Sequence, residues 1–154
     1  MNLVKCPNDW SCMACSLAMI ADEPLDKIIN LIGHDGSEKI WPDASEPYCY
    51  RGFEYQEITR AAYKLGFSPV MFYVCYAIGN TSACQPSLPP KVNHEAISFI
   101  TPRTRALLML SNHAVATDGV QIYDPKGYVM QFEPIWVEQR CDSFLLFDNI
   151  IIKR

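Results

Sequence analysis

The segment from His113 to Asp124 (HAVATDGVQIYD) constrains the fold of this chain more than any other, because it predicts a β-hairpin turning at Asp118-Gly119. Asp-Gly is typical of a type I′ turn, in which both central residues need positive φ. Counting outwards from that turn places His113 directly opposite Asp124. Opposed side chains have Cβ atoms roughly 4.5 to 5.5 Å apart, so the sequence predicts that the carboxylate orients the imidazole.

A candidate nucleophile lies near the N-terminus, at the predicted start of a helix. This helix begins at Ser11 or Cys12 and continues to Ala21 with small and apolar residues almost all round, which is the pattern of a buried helix. The unpaired amides of a helix start favour a thiolate, and the N–H of Cys12 would point towards an oxyanion formed on an attacked carbonyl. We therefore predict that Cys12 is the nucleophile and that Cys15 fills space one turn deeper.

The predicted hairpin supplies the rest of a catalytic triad. His113 would accept the thiol proton and pass a proton to the leaving group, while Asp124 would hold the imidazole in the right tautomer. Val115, Val120 and Ile122 share their face in this register, so we expect that face to pack on the core with the first helix. That packing would bring Cys12 to His113.

Composition limits the class of protein. The 154 residues, 49% hydrophobic and 19% charged, fit one globular domain spanning 1–154. A net charge of −4 without basic runs argues against nucleic-acid and membrane partners. The seven irregularly spaced cysteines and the absence of a secretory signal predict a soluble, cytoplasmic protein with reduced thiols. We expect no cofactor and no metal, and the oligomeric state stays open.

The order of predicted elements indicates an α+β fold, because helices lead and strands follow. The helical patterns are the first helix, a second that follows Pro24 and ends at Gly33, and a third over 54–65. Residues 34–53 are predicted to form an ordered loop, 79–90 a polar connection, and 94–100 either a short helix or a strand. Strands are predicted over 68–78, 107–110, 114–117 and 120–123, with at least one more within 144–152.

Two segments resemble one peptidase family. Residues 12–20 (CMACSLAMI) are similar to the nucleophile helix of papain-like cysteine peptidases of the bacteriocin-leader-processing, double-glycine type, which typically opens Cys-Gly-Pro-Ala. Residues 113–116 (HAVA) and 122–127 (IYDPKG) resemble its His strand and its Asp-Pro strand end. The resemblance implies a papain-like fold, with the N-terminal nucleophile helix packed on an antiparallel sheet, and a peptide or protein substrate. The combined patterns PNDWSC and IGHDGSE also resemble small proteins of bacteria and their phages.

The chain departs from that family at two positions. A glutamine usually lies six residues before the nucleophile and donates to the oxyanion, whereas this chain has Cys6; Met13 stands where glycine is common. A thiol is a poor donor, and losing one oxyanion donor lowers the rate about a hundredfold or more. Cys6, Asn8 and Ser11 are the candidate oxyanion donors.

The sequence therefore predicts a cysteine hydrolase acting through Cys12, His113 and Asp124, most simply on a peptide or isopeptide bond. The alternative is a catalytically impaired papain-fold binding module of phage origin, directed at a host protein. The spacing Cys12-x-x-Cys15 also matches a thioredoxin-like redox motif, although no βαβ pattern surrounds it. A zinc site built from Cys6, Cys12, Cys15 and either Cys49 or a histidine is weaker, because a second paired knuckle is missing.

Overall fold

The computed structural model describes residues 1–76, 91–92 and 94–148 of the chain. Within these ranges, helices and an antiparallel sheet form the mixed architecture that the sequence predicted, so the α+β fold class is confirmed. The elements are, in chain order, α1 Cys12–Ala21, α2 Leu25–Ile32, α3 Tyr55–Lys64, β1 Ser68–Tyr73, β2 Cys75–Tyr76, β3 Lys91–Val92, α4 His94–Ile97, β4 Arg105–Leu110, β5 His113–Thr117, β6 Gln121–Asp124, β7 Tyr128–Gln131, α5 Pro134–Arg140 and β8 Cys141–Asp148.

The main sheet has six antiparallel strands in the order β1-β8-β4-β5-β6-β7, and β2 pairs with β3 separately. The predicted continuous strand over 68–78 is therefore wrong. It breaks at the buried Val74, after which the chain joins the smaller sheet. An apolar run predicts burial but does not specify which sheet its residues join. The remainder of that prediction, at 77–78, lies outside the described residues, as do the connection 79–90 and positions 149–152.

Three elements within the described ranges were missed by sequence reasoning: β3, β7 and α5. Strand β3 has only two residues, too few to show an alternating pattern. Strand β7 has largely exposed residues, so it lacks the strict alternation that marks a half-buried strand. Helix α5 has only one fully buried side chain, Val137, which weakens its apolar periodicity. Pro134 at its first turn was the available signal, since proline suits that position.

Both faces of the central strands of the main sheet are buried. One core cluster packs α1, α2 and α3 on sheet residues that include Ala114 and Ala116. A second cluster covers the opposite face, where Val115 and Ile122 pack with residues of α4 and α5. The expected packing of Val115 and Ile122 against the first helix is therefore wrong, and Val120 is 45% exposed. Helix α1 instead lies on the alternate, small residues of β5.

The predicted turn at Asp118-Gly119 is also wrong by one residue. The ladder pairs Thr117 with Ile122, and the N–H of Asp118 donates to the carbonyl of Gln121, so the central residues are Gly119-Val120. The carboxylate of Asp118 accepts the N–H groups of Val120 and Gln121 at 3.0 and 2.8 Å. Asp118 thus precedes the turn because its side chain satisfies the turn amides.

This correction moves the pairing by two residues. Residues 113 and 124 are therefore not directly opposite; extending the observed register places Asp124 opposite Val115. Because side chains alternate with a period of two, the shift keeps His113 and Asp124 on one face as diagonal neighbours. The predicted proximity survives the wrong register for this reason.

Among the helices in the described ranges, none combines the length and apolar character needed to cross a membrane.

We expect Gly119→Ala to destabilise the protein strongly. A Cβ at position 119 would lie 1.7 Å from the carbonyl oxygen of Thr101, and Gly119 has φ +79°. Gly33→Ala is the matched control, since Gly33 also has positive φ (+103°) but no atom lies within 4 Å of its added Cβ. In urea unfolding, Gly33→Ala should lower the free energy of unfolding by about 1 to 2 kcal/mol. Gly119→Ala should lower it by at least about 2 kcal/mol more; equal losses would show that the contact with Thr101 is unimportant.

Candidate active site

The residues before α1 form a tight turn that sets where the helix begins. The Asn8 side-chain oxygen accepts the N–H of Trp10 at 3.2 Å and the hydroxyl of Ser11 at 2.5 Å. Ser11 is the N-cap residue; its hydroxyl donates to Asn8 and makes no capping bond to the helix amides. Cys12 is consequently the first residue of α1, where its backbone N–H has no intrahelical acceptor.

The environment of the Cys12 thiol has two opposing effects on its pKa. Burial raises the pKa above the ordinary thiol value and is the largest influence. The backbone N–H of Ala114 lowers it, as do the amides of Cys12 and Met13, whereas Cys6 raises it. The helix-start amides act in the expected direction, but burial outweighs them. The free protein therefore holds Cys12 mainly as a thiol near neutral pH.

His113 is the first residue of β5 and follows a turn in which Asn112 has φ +59°. Its Nε2 lies 2.9 Å from Oδ1 of Asp124, and both side chains are 16% exposed. The structure describes no partner for the Nδ1 atom of His113. With Nε2 held by a carboxylate, Nδ1 is the ring nitrogen left to exchange a proton with another group.

Asp124 also has a structural role in the turn between β6 and β7. Its Oδ1 accepts the N–H of Lys126 at 2.8 Å, and its carbonyl accepts the N–H of Gly127 at 2.9 Å. Gly127 has φ +107°, as the last residue of a three-residue hairpin loop commonly does. The turn therefore fixes the position of the Asp124 carboxylate, which also bonds to His113.

Cys12 of α1 and His113 of β5 both line a cavity of about 410 Å³. The packing of α1 on Ala114 and Ala116 places the start of the helix beside the start of β5. The remaining lining is largely apolar and aromatic: Asp9, Trp10, Met13, Pro47, Tyr48, Tyr50, Arg51, Gly52, Phe53, Met109, Leu110 and Asn112.

Residues in the second half of the loop over 34–53 form one wall of this cavity. Tyr50 stacks on Trp10 with ring centroids 3.9 Å apart, and Tyr48 is 57% exposed. Trp41 of the same loop is 64% exposed and is not part of the lining. The loop aromatics therefore divide between the cavity wall and the outer surface.

Residues 34–38 are not part of the cavity lining. His34 Nε2 lies 2.9 Å from Glu57 Oε1, and Arg51 donates to the same oxygen at 2.8 Å. The Glu57 carboxylate also accepts the N–H of Glu54 at 2.9 Å, completing the N-terminal cap of α3. This segment follows the end of α2 and anchors the loop to α3, which agrees with the prediction of an ordered loop over 34–53.

The three predicted oxyanion donors have other partners. Cys6 lies near Cys12 and Asp124, but its S–H donates to the sulfur of Cys15 at 3.4 Å. The Ser11 hydroxyl donates to Asn8, and among the described residues the side-chain NH2 of Asn8 has no hydrogen-bond partner. None of the three lines the cavity.

Sequence reasoning missed Asn112. This residue lines the cavity beside His113 and presents an exposed side-chain amide. The dipeptide Ser111-Asn112 between two apolar strands was the available signal of a tight turn, because asparagine tolerates the left-handed backbone conformation.

In the part of the chain that it describes, the structure does not bring together the cysteines as the zinc-site and thioredoxin-like interpretations require. Within the described ranges, no group of three or more His, Cys, Asp or Glu residues is placed to hold a metal ion. The sulfur of Cys15 contacts Cys6 rather than Cys12. The Cys12-x-x-Cys15 spacing therefore does not identify the nearest thiol pair.

Comparison with known proteins supports the fold. No protein-family model matches the sequence, and no curated protein matches it. Its structure is similar to a crystal structure of a double glycine motif protease from an AMS/PCAT transporter in complex with the leader peptide. The TM-score is 0.59 at 15% sequence identity, covering 95% of this chain and 89% of that chain. The chain thus has the papain-like fold that the short motifs implied.

We expect the rate of Cys12 alkylation by iodoacetamide to keep rising beyond about pH 9, because burial raises the pKa of this thiol and only the thiolate reacts. The measurement is the initial rate of modification between pH 6 and pH 10, assigned to Cys12 by peptide mass spectrometry. A denatured sample gives the unperturbed profile as a control. A plateau beginning below about pH 7 would instead show a thiolate already paired with an imidazolium in the free protein.

Proposed function

We propose that this protein is a cysteine hydrolase that cleaves a peptide or isopeptide bond through Cys12, His113 and Asp124. The observation that carries the proposal is a cavity lined by both Cys12 and His113, with Asp124 bonded to Nε2 of the imidazole. The papain-like fold supports it, because the double glycine motif protease of similar fold was crystallised with a leader peptide.

The proposed reaction begins with general-base catalysis. As the Cys12 sulfur attacks the substrate carbonyl, its proton passes to Nδ1 of His113, because the buried thiol does not ionise readily beforehand. Asp124 accepts the Nε2–H and stabilises the imidazolium as it forms. The backbone N–H of Cys12 donates to the oxyanion of the tetrahedral intermediate.

The two products leave in sequence. His113 returns the proton to the leaving amine, and the C–N bond breaks to give a thioester on Cys12. A water molecule then loses a proton to His113 and attacks the thioester carbonyl. The C–S bond breaks, the thiol recovers its proton from His113, and a carboxylic acid is released.

The second candidate function is a papain-fold binding module that has lost this reaction. The observation in its favour is the engaged S–H of Cys6, which leaves the family's usual oxyanion position without a free donor. Such a module would use the aromatic wall of the cavity to bind a protein or peptide without cleaving it. The two functions are separated by whether product formation depends on Cys12.

We expect Cys12→Ala to abolish cleavage and His113→Ala to slow it by a factor of about 10² or more, because the Cys12 sulfur and the His113 imidazole take part in every step of the proposed reaction. The substrates are a bacterial peptide mixture and a precursor peptide whose leader ends in a double glycine and is followed by further residues. Mass spectrometry detects the new termini. His34→Ala is the matched control, because His34 also pairs with a carboxylate at 2.9 Å but does not line the cavity. The His34 ring stacks on Phe53 of the cavity wall, so this variant should keep a kcat near the wild-type value while its KM changes. Cleavage by Cys12→Ala, or none by the wild type while peptides still bind, would favour the binding module.

Asn8 provides a separate test of oxyanion stabilisation. Asn8→Asp keeps an oxygen to accept from Trp10 and Ser11 but removes the NH2 donor, whereas Asn8→Ala removes both. If the amide donates to the oxyanion, both variants should lose about 10² or more in kcat with little change in KM. Wild-type kcat in Asn8→Asp, with a loss only in Asn8→Ala, would limit Asn8 to shaping the turn before α1.

A further inference from the structure

We propose that Cys6 and Cys15 form a redox pair, which a low-molecular-weight disulfide such as oxidised glutathione converts into an intramolecular disulfide bond. The two sulfurs lie 3.4 Å apart in the reduced protein, with the Cys6 S–H directed at Cys15. A disulfide bond needs about 2.05 Å, so the sulfurs must approach by about 1.4 Å. This inference does not depend on the proposed function.

Both cysteines are held on firmly placed backbone. The N–H of Cys6 donates to the carbonyl of Pro125 at 2.9 Å, which fixes the N-terminal segment against the turn after β6. Cys15 lies within α1, where its N–H donates to the carbonyl of Ser11 at 2.9 Å. The close approach of the sulfurs therefore follows from the packing of two anchored segments.

The difference in exposure sets the order of reaction. Cys15 is fully buried, whereas Cys6 is partly exposed, so the external disulfide meets Cys6 first. The Cys6 sulfur displaces one reduced glutathione and forms a mixed disulfide. Cys15 then attacks the Cys6 sulfur, and its proton leaves with the second glutathione. Two cysteine thiols are oxidised by two electrons in total, and one oxidised glutathione is reduced to two thiols.

Cys12 is the competing partner, because it is also near Cys6 and lines the cavity. The hydrogen bond favours Cys15, since the Cys6 sulfur already contacts that atom. The contact with Cys15 and burial also raise the pKa of Cys6, so oxidation should be slow near neutral pH and faster in alkali. The bond would join the N-terminal segment to α1 one turn beyond Cys12, leaving Cys12 a free thiol.

The test is oxidation of the folded full chain with oxidised glutathione at pH 8 to 9, followed by acid quenching and peptide mapping. The expected result is a loss of about 2 Da, a Cys6–Cys15 linked peptide, and a rise in Tm of several degrees. Cys12→Ala should give the same product, whereas Cys6→Ser should give neither the linkage nor the rise in Tm. These variants leave the fully buried Cys15 unchanged, which avoids a cavity in the core.

Three results would overturn the proposal. A Cys6–Cys12 linkage would show that Cys12, and not Cys15, is the partner of Cys6. A glutathione that stays attached to Cys6 would show that Cys15 cannot reach the mixed disulfide. Thiols that stay reduced in the folded wild type, while a denatured sample oxidises, would show that the fold prevents the bond. Each result is independent of whether the protein cleaves any peptide.

Discussion

The close packing of α1 on the small residues of β5 is the contact on which the candidate site depends. Ala114 and Ala116 let the buried helix approach the strand, so the first residue of the helix lies beside the first residues of the strand. Larger side chains at these two positions would push α1 outwards and separate Cys12 from His113. The same approach brings the Ala114 amide to the thiol, where it lowers the pKa that burial raises.

The groups around Cys12 show how structural and chemical roles share the same atoms. Asp124 fixes a hairpin turn through Lys126 and also holds the imidazole of His113. Asn8 shapes the turn that begins α1 through its side-chain oxygen, and its NH2 group meets no acceptor in the described part of the chain. Cys6 lies six residues before Cys12, where the peptidases that the sequence resembles usually have a glutamine, and its thiol is directed at Cys15. One residue, Cys6, therefore carries both the departure from the peptidase pattern that the sequence resembles and the contact between two thiols.

The hairpin shows why a wrong local prediction still led to a useful spatial one. The sequence placed the turn at Asp118-Gly119, but the carboxylate of Asp118 binds the turn amides and moves the turn to Gly119-Val120. The resulting shift of two residues preserves the face of each side chain. A shift of one would have placed His113 and Asp124 on opposite faces of the sheet.

Local patterns in the sequence determined the α+β class, the start of α1 near Cys12 and the common face of His113 and Asp124, because periodicity and turn chemistry depend on nearby residues. Tertiary structure decided which layer each face meets. Val115 and Ile122 pack in the second core cluster, on the face of the sheet opposite α1. Burial of Cys12 where the helix meets the sheet raises the pKa of its thiol. The Cys6–Cys15 contact joins two separately anchored segments, so no short motif could have predicted it.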